Sequence, residues 1–165
     1  MGASSTRGEE VFPSLDAQPV LATMGALKLS VKSDYAARAV LFLARCYGRR
    51  DPVPTDEIAR ENSIPPNYLV QILIELKSAR IVRSQRGKEG GYLLARSPSE
   101  ITLGDVLRSV QAEVLDPPAA RDMSCPAELR DAWVRVAAAL EAEVNRVSFA
   151  QLVEAGESRG RMFYI

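Results

Sequence analysis

The stretch from Thr55 to Leu94 admits few folds. Thr55 is placed to cap a helix, and Asp56 and Glu57 put negative charge in its first turn, where the helix dipole favours it. Ile58 and Ala59 supply a small apolar face, and Asn62-Ser63 ends the segment. Pro65-Pro66 then suit the first turn of a second helix, because backbone N–H groups there lack partners in any case. Leu69, Ile72, Leu73 and Leu76 follow at i, i+3, i+4 and i+7, one core-facing stripe. Asn67, Gln71, Glu75 and Ser78 fall on the opposite side, and Tyr68 stands near the exposed N-terminal end. Ile74 sits among these polar residues, and nothing in the sequence explains it. Ile81-Val82-Arg83-Ser84 reads as a strand, a glycine-rich loop carries Arg86 and Lys88, and Tyr92-Leu93-Leu94 reads as the returning strand.

Two helices, a tight turn and then a basic hairpin give the order of a winged helix-turn-helix. A plain helical hairpin followed by a β-turn has no need of a basic, glycine-rich tip at this place. In such a unit the second helix reads base edges with its N-terminal residues, and Asn and Gln can pair bidentately with adenine. Asn67, Tyr68 and Gln71 are therefore expected in the major groove of double-stranded DNA, with Arg86 and Lys88 on the flanking backbone or minor groove. Lys28 and Lys32 are expected to steer phosphate.

Net charge is zero, but its distribution is uneven. From Met24 to Ala95 there are 12 Lys and Arg against 7 Asp and Glu, a surplus of +5. From Arg96 to Ile165 the count is 8 against 11, or −3, and the first 23 residues carry −2. Positive charge thus gathers where the motif lies, as DNA binding requires. A chain of 165 residues with 47% apolar and 25% charged residues has room for one core and an arm. No apolar run approaches the roughly 18 residues of a membrane span, and the N-terminus lacks a secretory core, so a cytoplasmic protein without membrane contact is expected.

The expected class is mainly α with a small β-hairpin wing, a winged helix-turn-helix plus one long helix. Residues 1–26 are polar, without sustained period, and read as a disordered tail; 27–95 form the DNA-binding domain; 96–155 hold a loop and the long helix; 156–165 are a frayed tail. Before the motif, Ser33 is expected to cap a helix whose buried stripe is Ala36, Ala39, Val40, Leu43 and Tyr47, ended by Gly48. Thr102 and Asp105 form a capping-box-like start to a short helix, and 112–126 is expected to be loop. In the long helix, Glu128–Arg146, Leu129, Trp133, Val136, Leu140 and Val144 recur close to a heptad seam that continues to Val147. One long helix at the edge of a small domain cannot bury such a seam alone. Homodimerisation is the favoured reading, and packing on the first helix is the other. Ser148-Phe149 starts a last short helix that echoes Thr102-Leu103.

The chain has no histidine, which removes Ser-His-Asp and Cys-His catalysis and histidine-ligated zinc. Gly87-Lys88-Glu89-Gly90-Gly91 is not a phosphate loop, because it lacks Gly-Lys-Ser/Thr spacing and leads into a strand. An enzyme is not expected.

Lys28-Leu29-Ser30, the Asp34-Tyr35-Ala36 helix entry, Pro65-Pro66-Asn67-Tyr68-Leu69-x-Gln71 and Arg86-Gly87-x-x-Gly90-Gly91-Tyr92-Leu93-Leu94 together resemble the Rrf2 family of bacterial transcription regulators, the IscR/NsrR-like proteins. The resemblance spans Leu27 to Glu154. It implies a homodimeric repressor on a palindromic operator, with the 128–146 helix as the dimerisation arm. Several members hold an iron–sulfur cluster on three cysteines in the loop before that helix. Here the loop has only Cys125, and Cys46 reads as core, so no cofactor is expected and a cluster within one subunit is disfavoured. A cluster shared across a dimer through Cys125, helped by Glu128 or Asp122, stays open. Cys125 as a reactive thiol also stays open, as does a winged helix that binds protein instead of DNA. In better-known members an acidic residue that can select cytosine precedes the reading Gln. Val70 stands there instead, and an apolar side chain can contact a thymine methyl.

Overall fold

The computed structural model describes residues 29–87, 90–116 and 118–162. The expected tail over 1–26, Lys28 and Lys88 lie outside these residues. Helix α1 runs Val31–Arg45 and is capped by Ser30, whose Oγ accepts from the Ser33 N–H at 3.1 Å. Ser33 is therefore not the cap. It lies inside the first turn, buried, and its hydroxyl donates to Gln111 Oε1 at 2.6 Å. Ala36, Ala39, Val40 and Leu43 face the core as expected, but Tyr47 does not. The helix has already ended at Cys46, so Tyr47 no longer follows the helical period and points to solvent.

Helix α2, Thr55–Glu61, begins one residue earlier than expected: Pro54 holds the cap position, and Thr55 is the first helical residue. Helix α3, Pro66–Ser78, starts behind Pro65. Both helices of the motif end alike. The N–H groups of Ser63 and Ile64 return to Arg60 O and Ala59 O, and those of Arg80 and Ile81 to Lys77 O and Leu76 O. These are Schellman ends, with Ser63 (φ 53°) and Arg80 (φ 57°) in the left-handed position that glycine usually holds. Holding a residue with a Cβ there costs about 1–2 kcal/mol. The isoleucine after each turn is buried and anchors it.

Strands β1, Val82–Gln85, and β2, Gly91–Leu94, pair antiparallel with Val82 opposite Leu94 and Gln85 opposite Gly91. Val53, just before α2, bridges to Tyr92 through two backbone hydrogen bonds of 2.9 and 2.8 Å. The Val53 carbonyl lies where a Cβ on Gly91 would sit, which explains why that motif position is glycine. The wing is thus tied to the start of α2 as well as to the end of α3.

Beyond the wing, a capped single turn at Pro98–Glu100 leads to helix α4, Leu103–Val110. Thr102 and Asp105 exchange both capping-box bonds, at 3.1 and 3.0 Å. The expected loop over 112–126 contains two single turns, Ala112–Val114 and Pro118–Ala120. Helix α5 is Ala127–Arg146, and helix α6 is Phe149–Met162. Helix α6 does not end at Gly156; it continues to Met162. The echo between Thr102-Leu103 and Ser148-Phe149 has a structural counterpart. The Leu103 N–H donates to Val147 O, and the Phe149 N–H to Ile101 O, so the starts of α4 and α6 are paired.

One cluster of buried side chains joins α1, α2, α3, the wing, Ile101, Val106 and Phe149. A border at 95/96 therefore runs through a shared core. A second, smaller cluster sets Leu107 and Leu115 against Val144, with Leu140 packed beside it. The seam of α5 divides there. Val144 is 7% exposed and buried in its own chain, whereas Leu129, Trp133 and Val136 are 46%, 40% and 56% exposed. Among the described residues no helix is long and apolar enough to cross a membrane.

Candidate nucleic-acid interface

Leu69, Ile72, Leu73 and Leu76 are all fully buried, so the stripe fixes α3 in both position and rotation. What it leaves outside follows from the helical period. Asn67, Tyr68 and Gln71 are exposed along the first two turns, with Asn67 and Gln71 one turn apart on one face. Val70 and Ile74 are also outside, 42% and 50% exposed. Ile74 is therefore not a misplaced core residue; it extends an apolar edge beside the amides.

Tyr68 is held from below. Its ring meets the Tyr35 ring edge-on, centroids 5.9 Å apart at 84°. Arg38 lies 5.9 Å over Tyr35 and pairs with Asp34 at 2.6 Å. This brace between α1 and the reading end of α3 was not read from the sequence. Asp34-Tyr35 reads only as a helix entry, and no local period connects it with Tyr68. The structure also changes the role of Lys32. Its ammonium pairs with Glu75 at 2.8 Å, which ties α1 to the middle of α3. The pair is about one-third exposed on each side, so the Lys32 ammonium is shared with Glu75 and not removed from solvent.

At the wing tip Arg86 is exposed, and Gly87 takes φ 125°, open only to glycine without strain. The Gly90 N–H closes the turn onto Gly87 O at 3.0 Å. Behind the wing, Asp105 organises the start of α4. Burial pushes its carboxyl up, but the Thr102 N–H and the Arg108 and Arg96 guanidinium groups outweigh that and hold it below the usual carboxylate range.

A family model described as "Rrf2: Iron-dependent Transcriptional regulator" matches residues 29–155. The chain belongs to the Rrf2 family. CymR of Bacillus subtilis, an HTH-type transcriptional regulator, is 31% identical over 141 residues, covering 84% of this chain and all of that protein. Two Mycobacterium tuberculosis proteins are 46% identical over 84 residues, 51% of this chain; the match spans about half of their length, 52%. Among solved structures, T. potens IscR superposes with a TM-score of 0.67 at 31% identity, covering 84% of this chain and 98% of that one. The structure of B. subtilis CymR gives 0.66 at 28%, covering 79% and 98%. The fold is the winged helix-turn-helix of these regulators. Family and relatives are transcriptional regulators, not enzymes, and DNA is the partner the family implies.

One chain does not supply the ligand set of an iron–sulfur cluster. Iron–sulfur clusters take four ligands, mostly thiolates, whereas this chain has two cysteines and no histidine. Cys46 is 4% exposed in the main core, and burial pushes its thiol up, away from the thiolate that a metal needs. Cys125 is half-buried in the loop before α5. Its neighbour Asp122 is occupied by the Ser124 hydroxyl and N–H, at 2.6 and 2.8 Å, which hold that carboxyl below its usual range. Among the described residues no three His, Cys, Asp or Glu side chains converge.

Proposed function

We propose that the chain is a sequence-specific DNA-binding regulator. In this reading it acts in the cytoplasm as a homodimer, represses by occupying a palindromic operator, and carries no iron–sulfur cluster of its own. The observation that supports it best is α3, whose buried stripe turns Asn67, Tyr68 and Gln71 outward beside a wing bearing an exposed Arg86. In this reading Asn67 and Gln71 pair with base edges in the major groove, and Val70 and Ile74 lie against thymine methyls. Arg86, with Lys28 and Lys88, holds phosphate or the minor groove. Lys32 acts indirectly, by locking α1 to α3 through Glu75.

The dimer reading rests on α5. Its 20 residues present Leu129, Trp133 and Val136 to solvent, with Leu140 half-buried at the border. An exposed apolar stripe of this kind marks an interaction surface. A second copy also supplies the second reading helix, about 34 Å away, that a palindrome requires. Footprinting on the DNA upstream of the protein's own gene tests this. A two-fold symmetric protected site that survives excess random DNA is expected. Retention no better than on random DNA would replace this reading with the protein-interaction module. An anaerobic visible spectrum without cluster bands is expected, and cluster absorption would overturn the cofactor-free part.

A further inference from the structure

The last turn of α3, β1 and the residues just after β2 border an open cleft of about 670 Å³, a size in the range of small-molecule sites, roughly 300–1,000 Å³. Lys77, Arg80, Arg83, Arg86 and Arg96 line it together with Ser84, and among the described residues no carboxylate does. Lys77 donates to the neutral Ser84 hydroxyl at 2.7 Å. Among the described residues, no carboxylate pairs with Arg80, Arg83 or Arg86. A cleft lined by cations without a carboxylate carries positive potential and favours an anion.

Two of the lining arginines differ in their surroundings. Arg80 sits at the left-handed end of α3, the position Ser63 holds at the end of α2, and lines the cleft with no acidic partner among the described residues. Arg96 lines the cleft as well; its Nη atoms reach Glu100 O at 3.1 Å and Asp105 Oδ2 at 3.6 Å, while its Nε is shielded from solvent, so the Nη groups are what a ligand can meet. Guanidinium forks match phosphate oxygens bidentately.

We propose that this cleft binds a phosphate group through Arg80, Arg83 and Arg96, and that Arg96 is shared between that phosphate and Asp105 of α4. Asp105 also holds Arg108 at 3.0 Å, and Arg108 reaches Glu141 and Asn145 of α5 at 3.2 and 2.9 Å. Occupancy of the cleft therefore changes the charge facing the one arginine that joins α4 to α5 among these contacts. The phosphate belongs either to a small free ligand or to a nucleic-acid backbone, which offers the same oxygens. Arg80 lies roughly 20 Å along the α3 axis from Asn67, so the cleft is separate from the base-reading end.

The test uses the full chain and inorganic phosphate, followed through the arginine Nε–Hε signals of Arg80 and Arg96. Saturable shifts are expected with phosphate, and none of that size with chloride at equal ionic strength. Arg80→Gly removes one charged donor yet relieves the backbone, so affinity should fall about tenfold while the melting temperature holds or rises. Asp105→Asn keeps the helix cap but frees Arg96, and affinity should rise about threefold. Added random-sequence duplex separates the sources. Displacement of phosphate assigns the cleft to a nucleic-acid backbone, and unchanged phosphate binding to the duplex-bound protein assigns it to a free ligand. Unsaturable shifts, equal shifts with chloride, or an unchanged affinity in Arg80→Gly overturn the site. An unchanged affinity in Asp105→Asn overturns the sharing of Arg96. None of these outcomes depends on the chain reading a specific operator.

Discussion

Helices α3 and α5 carry similar apolar periods and meet opposite fates. In α3 all four stripe residues are buried in the chain's own core, and the outward face is polar with an apolar edge. In α5 only the C-terminal end of the stripe finds cover, Val144 fully and Leu140 in part, while Leu129, Trp133 and Val136 stand open. A helical period states that a face must be covered; it does not state by what. The neighbours decide. Helix α3 is enclosed by α1, α2, β1 and α4, whereas α5 rests on α4, which is only 8 residues long, and on the single turn Pro118–Ala120. A 20-residue helix outruns α4.

Breaking the contrast where it is greatest should give the largest effect. Trp133→Asp places a carboxylate in the middle of the open seam. In the proposed dimer, taking an unpaired charge into the interface costs several kcal/mol, so that dimer should dissociate and operator affinity fall on the order of 10³-fold or more. Because Trp133 is 40% exposed within one chain, the monomer should stay folded. Sedimentation should show monomer with unchanged helical circular dichroism; a folded dimer would remove α5 from the interface. Leu73→Ala acts on the other helix. It opens a cavity in the main core and should cost about 2–5 kcal/mol of stability. Its unfolding should be seen in urea titration, with the oligomeric state of the folded fraction unaffected.

How much of this was legible in the sequence follows from the same contrast. The α3 stripe, the hairpin and the Thr102–Asp105 cap were legible because each is set by residues within one or two turns of each other. The start of α1 was misplaced by one turn, because Ser30 and Ser33 are both competent caps and the choice depends on Gln111, 78 positions away from Ser33. Tyr47 was misplaced because the period was carried past the helix end at Cys46. The pairing of Lys32 with Glu75 was not legible because the two lie on different helices. Val144 was assigned to the seam with its neighbours, since nothing local reveals that Leu107 and Leu115 cover it. The long-range partners are what the sequence concealed.

The outward face of α3 is tested more gently. Gln71→Ala should weaken binding to the cognate site by about 1–3 kcal/mol and binding to random DNA much less, because a base contact specifies where a phosphate contact only positions. Competition gel-shifts measure both, and an equal loss on both would take Gln71 out of the reading role. Gln71 is exposed and supports no core residue, so the melting temperature should not move.

Arg86→Ala should give the smallest change. Arg86 is at the tip of the hairpin, beyond the last strand residue Gln85, and is exposed. Removing it leaves the β1–β2 register and the Val53–Tyr92 bridge untouched, so neither fold nor dimer should respond. If it neutralises one phosphate, each subunit releases one counterion fewer on binding. The slope of log affinity against log salt should then become shallower by about 1 per subunit. Specific and random DNA should be affected alike, unlike the Gln71 case. At high salt the two proteins should converge, since the counterion term is then small for both. A slope equal to that of the unsubstituted chain, with equal affinity at low salt, would mean that the wing does not touch DNA. Base reading would then belong to α3 alone.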